Sequence, residues 1–90
     1  MDICFKCKSF INNKEFDELK DYINLLILHS KEYKLPVEYI FQQVYTHACL
    51  KKQPELAGWL KENVYDVYLD DIQKIGIRQM FSYGKYLLNK

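Results

Sequence analysis

Apolar positions along this chain recur at intervals of three and four residues over most of its length, the period of amphipathic helices. The clearest run begins after Asn12, where Asn12 and Glu15 have the spacing of a capping box and Asp17 and Glu18 fall in the electropositive first turns. Phe16, Leu19, Ile23, Leu26 and Ile27 form one stripe, and Tyr22, Leu25 and Leu28 form a second. The pattern predicts a helix over 13–31 that is covered from two sides and therefore central.

Pro36 suits a first helical position, and Val37, Ile40, Phe41, Val44 and Ala48 follow as a regular stripe to about Lys52. Pro54 ends that helix and opens the next, whose buried side is Leu56, Trp59, Leu60 and Val64. Over 64–69 the β-branched and aromatic residues favour a strand, while Leu60, Val64, Val67 and Tyr68 continue a helical stripe; the preferred reading is a helix end followed by an irregular turn. Asp70 with Gln73 makes a second capping signature, leading into Ile72, Ile75 and either Met80 or Phe81. Ser82 is placed as the cap of a last short helix carrying Tyr83, Tyr86 and Leu87. With a short helix near Ile3 to Phe10, the expected fold is all-α, about five to six helices arranged as consecutive helical hairpins. The pairs are 3–10 with 13–31, 36–52 with 54–63, and 71–81 with 83–88, an irregular repeat.

Composition narrows this to one small globular domain over 1–90. An apolar fraction of 49% with 16% aromatic is too rich for a disordered chain, and 90 residues leave no room for a second core. Thirteen basic residues against twelve acidic give a formal charge of +1 with the signs interspersed, so no strong field draws in nucleic acid or an anionic membrane. The apolar run over 22–28 is far short of the roughly 20 residues of a membrane span. The start of the chain, Met1-Asp2-Ile3-Cys4-Phe5-Lys6-Cys7, lacks the basic, apolar and small-residue regions of a secretory signal, and the expected location is cytoplasmic or nuclear.

Chemistry-bearing residues are few and scattered. Three cysteines, an odd number, point to free thiols rather than a disulfide framework. Cys4 and Cys7 have metal or redox spacing, and His47 with Cys49 nominally completes four zinc ligands. Residues two apart on a helix point about 200° from each other, however, so His47 and Cys49 do not face one ion, and the cysteines read as small apolar residues. The same angle removes the one sequence-local nucleophile and base pair. The isolated Gly58, Gly76 and Gly84 make no phosphate loop. The expectation is therefore no catalytic residues, no metal and no cofactor. Lys51 and Lys52 near one junction, and Lys74, Arg78 and Lys85 near another, are interrupted by Asp66, Asp70 and Asp71, a mixed surface rather than a nucleic-acid stripe.

The segment Ala48-Cys49-Leu50-Lys51-Lys52-Gln53-Pro54-Glu55-Leu56-Ala57-Gly58-Trp59-Leu60 resembles the degenerate ankyrin-like repeats of large DNA viruses, in which an Ala-Cys pair ends one helix and Leu-x-x-Trp-Leu follows in the next. Tyr83 to Leu88 resembles the second helix of a following unit, and Phe16 to Ile23 part of a preceding one. The ankyrin Thr-Pro-Leu-His turn is absent, and Lys52-Gln53 stands where a glycine is usual between the helices. The resemblance implies a viral protein–protein interaction module with no catalytic residues.

Eight tyrosines exceed what a core of this size readily hides, and tyrosine is favoured at interfaces for its apolar body and polar tip. Tyr65 with Tyr68 and Tyr83 with Tyr86 are paired at near-helical spacing, and they form the candidate interaction surface; the competing reading has them covering the last helices internally. The expected function is non-enzymatic binding of another protein, or of a second copy as a homodimer. A small nucleic-acid-binding regulatory domain is the alternative.

Overall fold

A computed structural model describes residues 2–90. Six α-helices account for most of them: α1 (Ile3–Asn12), α2 (Phe16–Leu28), α3 (Val37–Leu50), α4 (Pro54–Leu60), α5 (Asp71–Ile77) and α6 (Met80–Asn89), with a π-helical segment (Lys61–Tyr65) continuing α4. No strand occurs among the described residues.

Helix starts follow local chemistry. The Asp2 carboxylate accepts from the Phe5 amide at 3.2 Å. Asp70 and Gln73 form a complete capping box, the Asp70 side chain accepting from the Gln73 amide at 2.8 Å and the Gln73 side chain from the Asp70 amide at 3.0 Å. Pro54 occupies the first turn of α4, whereas Pro36 sits one residue before α3.

The ends of α1 and α3, and the turn that follows α2, share an unusual backbone. Lys14, Lys34 and Lys52 have φ of 58°, 52° and 59°, the left-handed conformation that glycine usually supplies. After α1 the Lys14 amide donates to Ile11 and the Glu15 amide to Phe10; after α3 the Lys52 amide donates to Cys49 and the Gln53 amide to Ala48. Both are Schellman motifs. Asn12 is consequently the last residue of α1 and not the cap of α2, whose first turn has no side-chain cap.

The central helix is α3, not α2. It lies against α1, α4, the π segment, α5 and α6, and buries Val37, Ile40, Phe41, Val44, Tyr45, Ala48 and Cys49. α2 buries only Leu19 and Ile23, packs mainly on α1, and leaves Leu25 and Leu28 exposed. Charge density explains the exchange: Tyr39 to Leu50 contains no Asp, Glu, Lys or Arg, so α3 can be surrounded without desolvating an ion, while Asp17, Glu18, Lys20 and Asp21 hold one side of α2 in water.

Adjacent pairs α1–α2 and α3–α4 are packed on each other, and α6 finds its main neighbour in α3. At that crossing, an added Cβ on Gly84 would lie 2.8 Å from Tyr45 Cε1 and 2.9 Å from Cys49 Sγ, so glycine sets the approach of the two helices. Over the ambiguous stretch, the Asp66 amide donates to the Lys61 carbonyl at 2.8 Å, the wide turn that lets Val64 and Tyr65 both face the core. The chain then turns through 66–68 before Asp70.

Between α5 and α6 the helix tightens without reversing. Arg78 and Gln79 keep right-handed helical dihedrals, and the Phe81 and Ser82 amides reach back three residues to Arg78 and Gln79. Ser82 therefore lies inside α6 and caps nothing. Ile77, Met80, Gly84 and Leu87 form one buried ridge across this junction.

Candidate functional site

The four candidate tyrosines divide into two internal and two external ones. Tyr65 is 9% exposed; its ring packs on Phe41 and edge-on to Phe81 at 4.7 Å, and its hydroxyl reaches the Lys74 carbonyl at 3.5 Å. Tyr68 is half-buried, with its hydroxyl hydrogen-bonded to the buried Ser30 hydroxyl, which also donates to the Ile27 carbonyl. These two tie the turn after the π segment to the core and to the end of α2, so Tyr65 and Tyr68 offer little surface to a partner.

Tyr83 and Tyr86 are 54% and 60% exposed, with their rings stacked at 6.3 Å and 20° between planes. Ile72 and Ile75, the apolar positions that follow the Asp70–Gln73 cap, are 83% and 68% exposed. At about 100° per residue, Ile72 and Ile75 lie about 60° apart on α5, and Tyr83 and Tyr86 about 60° apart on α6. Exposed and buried apolar positions thus occur along the same stretch, and only the ridge through Ile77 and Gly84 is covered. No sequence signal distinguishes them, since Gly84 sits at the close crossing with α3 while Gly76 in the same stretch has open space around it.

Cys7 and Cys49 are buried, and burial pushes the Cys7 thiol up to about 12 and the Cys49 and half-buried Cys4 thiols upward, so all three are held in the neutral thiol form. His47 Nε2 lies 2.8 Å from Asn12 Oδ1, a bond from α3 to the end of α1. Partial burial, together with Lys51 and Lys8, lowers its pKa and favours the neutral ring. Asn12, read from sequence as a helix cap, is instead this histidine's partner. His29 is exposed beside Glu32 at 3.4 Å. Among the described residues, no three His, Cys, Asp or Glu side chains cluster as metal ligands.

The basic residues do not gather into one stripe. Lys61 pairs with Asp66 at 3.1 Å, Lys74 lies over the Tyr65 ring, and the Lys52 ammonium donates to the Leu87 carbonyl at the end of α6. A seam between α2 and α3, lined by Ile23, Leu26, Ile27 and Phe41 among others, encloses only about 20 Å³. Among the described residues, no helix is long and apolar enough to cross a membrane. Comparison of the chain with protein-family models, with curated proteins and with solved structures gave no match.

Proposed function

We propose that this chain is a non-enzymatic protein–protein interaction module whose contact surface is the exposed flank of α5–α6. The observation that carries the reading is the stacked Tyr83–Tyr86 pair on α6 together with Ile72 and Ile75 on α5, all four more than half exposed. Large exposed apolar side chains on a helix are what a partner helix or groove buries, and tyrosine supplies area at low entropic cost. The first helix pair contributes further exposed apolar residues, Leu25 and Leu28, so both ends of the array carry uncovered surface.

The resemblance to viral ankyrin-like repeats supports the same reading. α1 and α3, the first helices of the two hairpins α1–α2 and α3–α4, are packed side by side, which is compatible with such a repeat, whereas α5 runs into α6 without reversing and forms no third hairpin. On this proposal the protein works in the cytoplasm or nucleus, and a second copy is one partner the surface accepts.

Sedimentation equilibrium of the wild type against a Tyr83→Ser, Tyr86→Ser variant is the test, since neither side chain supports the core. Self-association is expected, weakened by at least about tenfold in the variant, a loss of about 1.4 kcal/mol. A wild type that stays monomeric at about 1 mM removes the homodimer. A photo-crosslinker at position 83 in the native cell then tests a heterologous partner, and failure to trap any protein that unlabelled wild type displaces refutes the interaction reading.

A further inference from the structure

On the opposite side of α6 from Tyr83 and Tyr86, a cleft of about 480 Å³ opens between the end of α3, the start of α4 and the last turns of α6. That volume lies in the range of small-molecule sites, roughly 300–1,000 Å³. Its walls combine an apolar floor with a cationic rim. Phe81, Pro54 and Leu88 supply the apolar surface, Lys52 and Lys85 the charge, and no acidic residue lines it. Glu55, the acidic residue nearest in sequence, instead lines a separate groove with Lys20 and Gln53.

The floor is held in place before any ligand arrives. The Phe81 ring is met edge-on by Tyr45 at 5.1 Å and by Tyr65 at 4.7 Å, and Phe41 closes a third side at 6.5 Å. Lys52 is also fixed, its backbone in the left-handed turn after α3 and its ammonium on the Leu87 carbonyl. An ammonium has three donors, so two remain for a ligand. Lys85 is exposed and makes no ion pair among the described residues. Two cations beside a rigid apolar surface, with no carboxylate side chain among the lining residues, match a molecule that carries its own anion on a planar or aliphatic body.

We infer that this cleft binds a small amphipathic organic anion, its carboxylate, sulfonate or phosphate group between Lys52 and Lys85 and its apolar body against Phe81 and Leu88. The inference is independent of the protein-interaction reading, because the two surfaces lie on different flanks of α6.

The probe is 8-anilino-1-naphthalenesulfonate, titrated by fluorescence into the full chain and located by amide shift mapping. Its uncharged counterpart, N-phenyl-1-naphthylamine, shares the aromatic body without the sulfonate. The sulfonate is expected to bind at least about tenfold more tightly than the neutral dye and to weaken with added salt. It should lose about tenfold in Lys85→Glu, which changes an exposed side chain and leaves the fold intact, and less in Lys52→Gln. Shifts should centre on Tyr45, Lys52, Phe81 and Lys85, and the Tyr83→Ser, Tyr86→Ser variant should bind as wild type does. Equal affinity for the two dyes, undiminished binding to Lys85→Glu, loss of binding in the tyrosine variant, or no binding at all would each overturn the inference. Tighter binding of an oligothymidylate at the same residues would overturn it in favour of a single-stranded nucleic-acid site.

Discussion

Substituting alanine for each of the three glycines separates helix propensity from packing. Gly58 and Gly76 lie inside α4 and α5, and a Cβ at either position would meet nothing within 4 Å. Each alanine should stabilise the fold by about 0.5–1 kcal/mol, the difference between glycine and alanine in a helix interior. Gly84→Ala gains the same propensity, but its methyl would lie 2.8 Å from Tyr45 Cε1 and 2.9 Å from Cys49 Sγ. Neither neighbour can step aside easily: Cys49 is fully buried, and the Tyr45 ring is wedged between Phe41 at 5.6 Å and Phe81 at 5.1 Å.

Relief therefore requires α6 to lift from α3, and overpacking of that kind costs about 1–3 kcal/mol. Because the propensity gain is common to all three sites, the difference between Gly84→Ala and the other two isolates this packing cost. Urea denaturation followed by circular dichroism measures it, and in thermal melts 1 kcal/mol corresponds to roughly 4–8 °C for a domain of this size. Adding Cys49→Ala should recover part of the Gly84→Ala loss, with a coupling above about 0.5 kcal/mol, since it removes one of the two clashing atoms. A Gly84→Ala protein as stable as Gly58→Ala would refute the close crossing of α3 and α6.

Two further outcomes follow from local geometry. Lys14→Gly and Lys34→Gly should each stabilise by up to about 1 kcal/mol in denaturation experiments, because the left-handed backbone penalises a side chain by about 1–2 kcal/mol and glycine returns part of that as unfolded-state entropy. Lys52→Gly should gain less, since it also removes the ammonium from the Leu87 carbonyl; an equal gain at all three sites would show that this contact contributes nothing. His47 has a folded-state pKa below its ordinary 6.5, so the unfolded chain binds more protons as pH falls. Its contribution to stability is accordingly full above pH 6.5 and declines as pH drops through that value toward the folded-state pKa. His47→Gln should flatten that part of the stability–pH curve, and an unchanged slope would exclude His47 as its source.

The all-α class, the helix starts at Pro54 and at the Asp70–Gln73 box, and the turn near 66–70 were legible in the sequence because each depends on residues within a few positions of one another. Local periodicity also identified which residues share a helical face. It did not reveal which of two apolar faces is covered. The stripe through Ile72 and Ile75 and the ridge through Ile77 and Met80 are equally regular, and only the close approach of α3 at Gly84 selects the ridge. The same limit separates Tyr65, drawn inward by the π turn and the Phe41–Phe81 cluster, from Tyr83, left outside.

Centrality was also a tertiary outcome, although the charge-free run from Tyr39 to Leu50 was a signal for it that two-faced apolarity in α2 obscured. Asn12 shows the remaining difference. Its spacing to Glu15 matches a capping box, yet the left-handed Lys14 closes α1 over it and frees its side chain for His47, 35 residues away. The sequence by itself determined which segments become helices, since hydrogen-bonded turns and caps are short-range. Packing decided which faces of those helices remain exposed, since burial is a property of the neighbours a face finds.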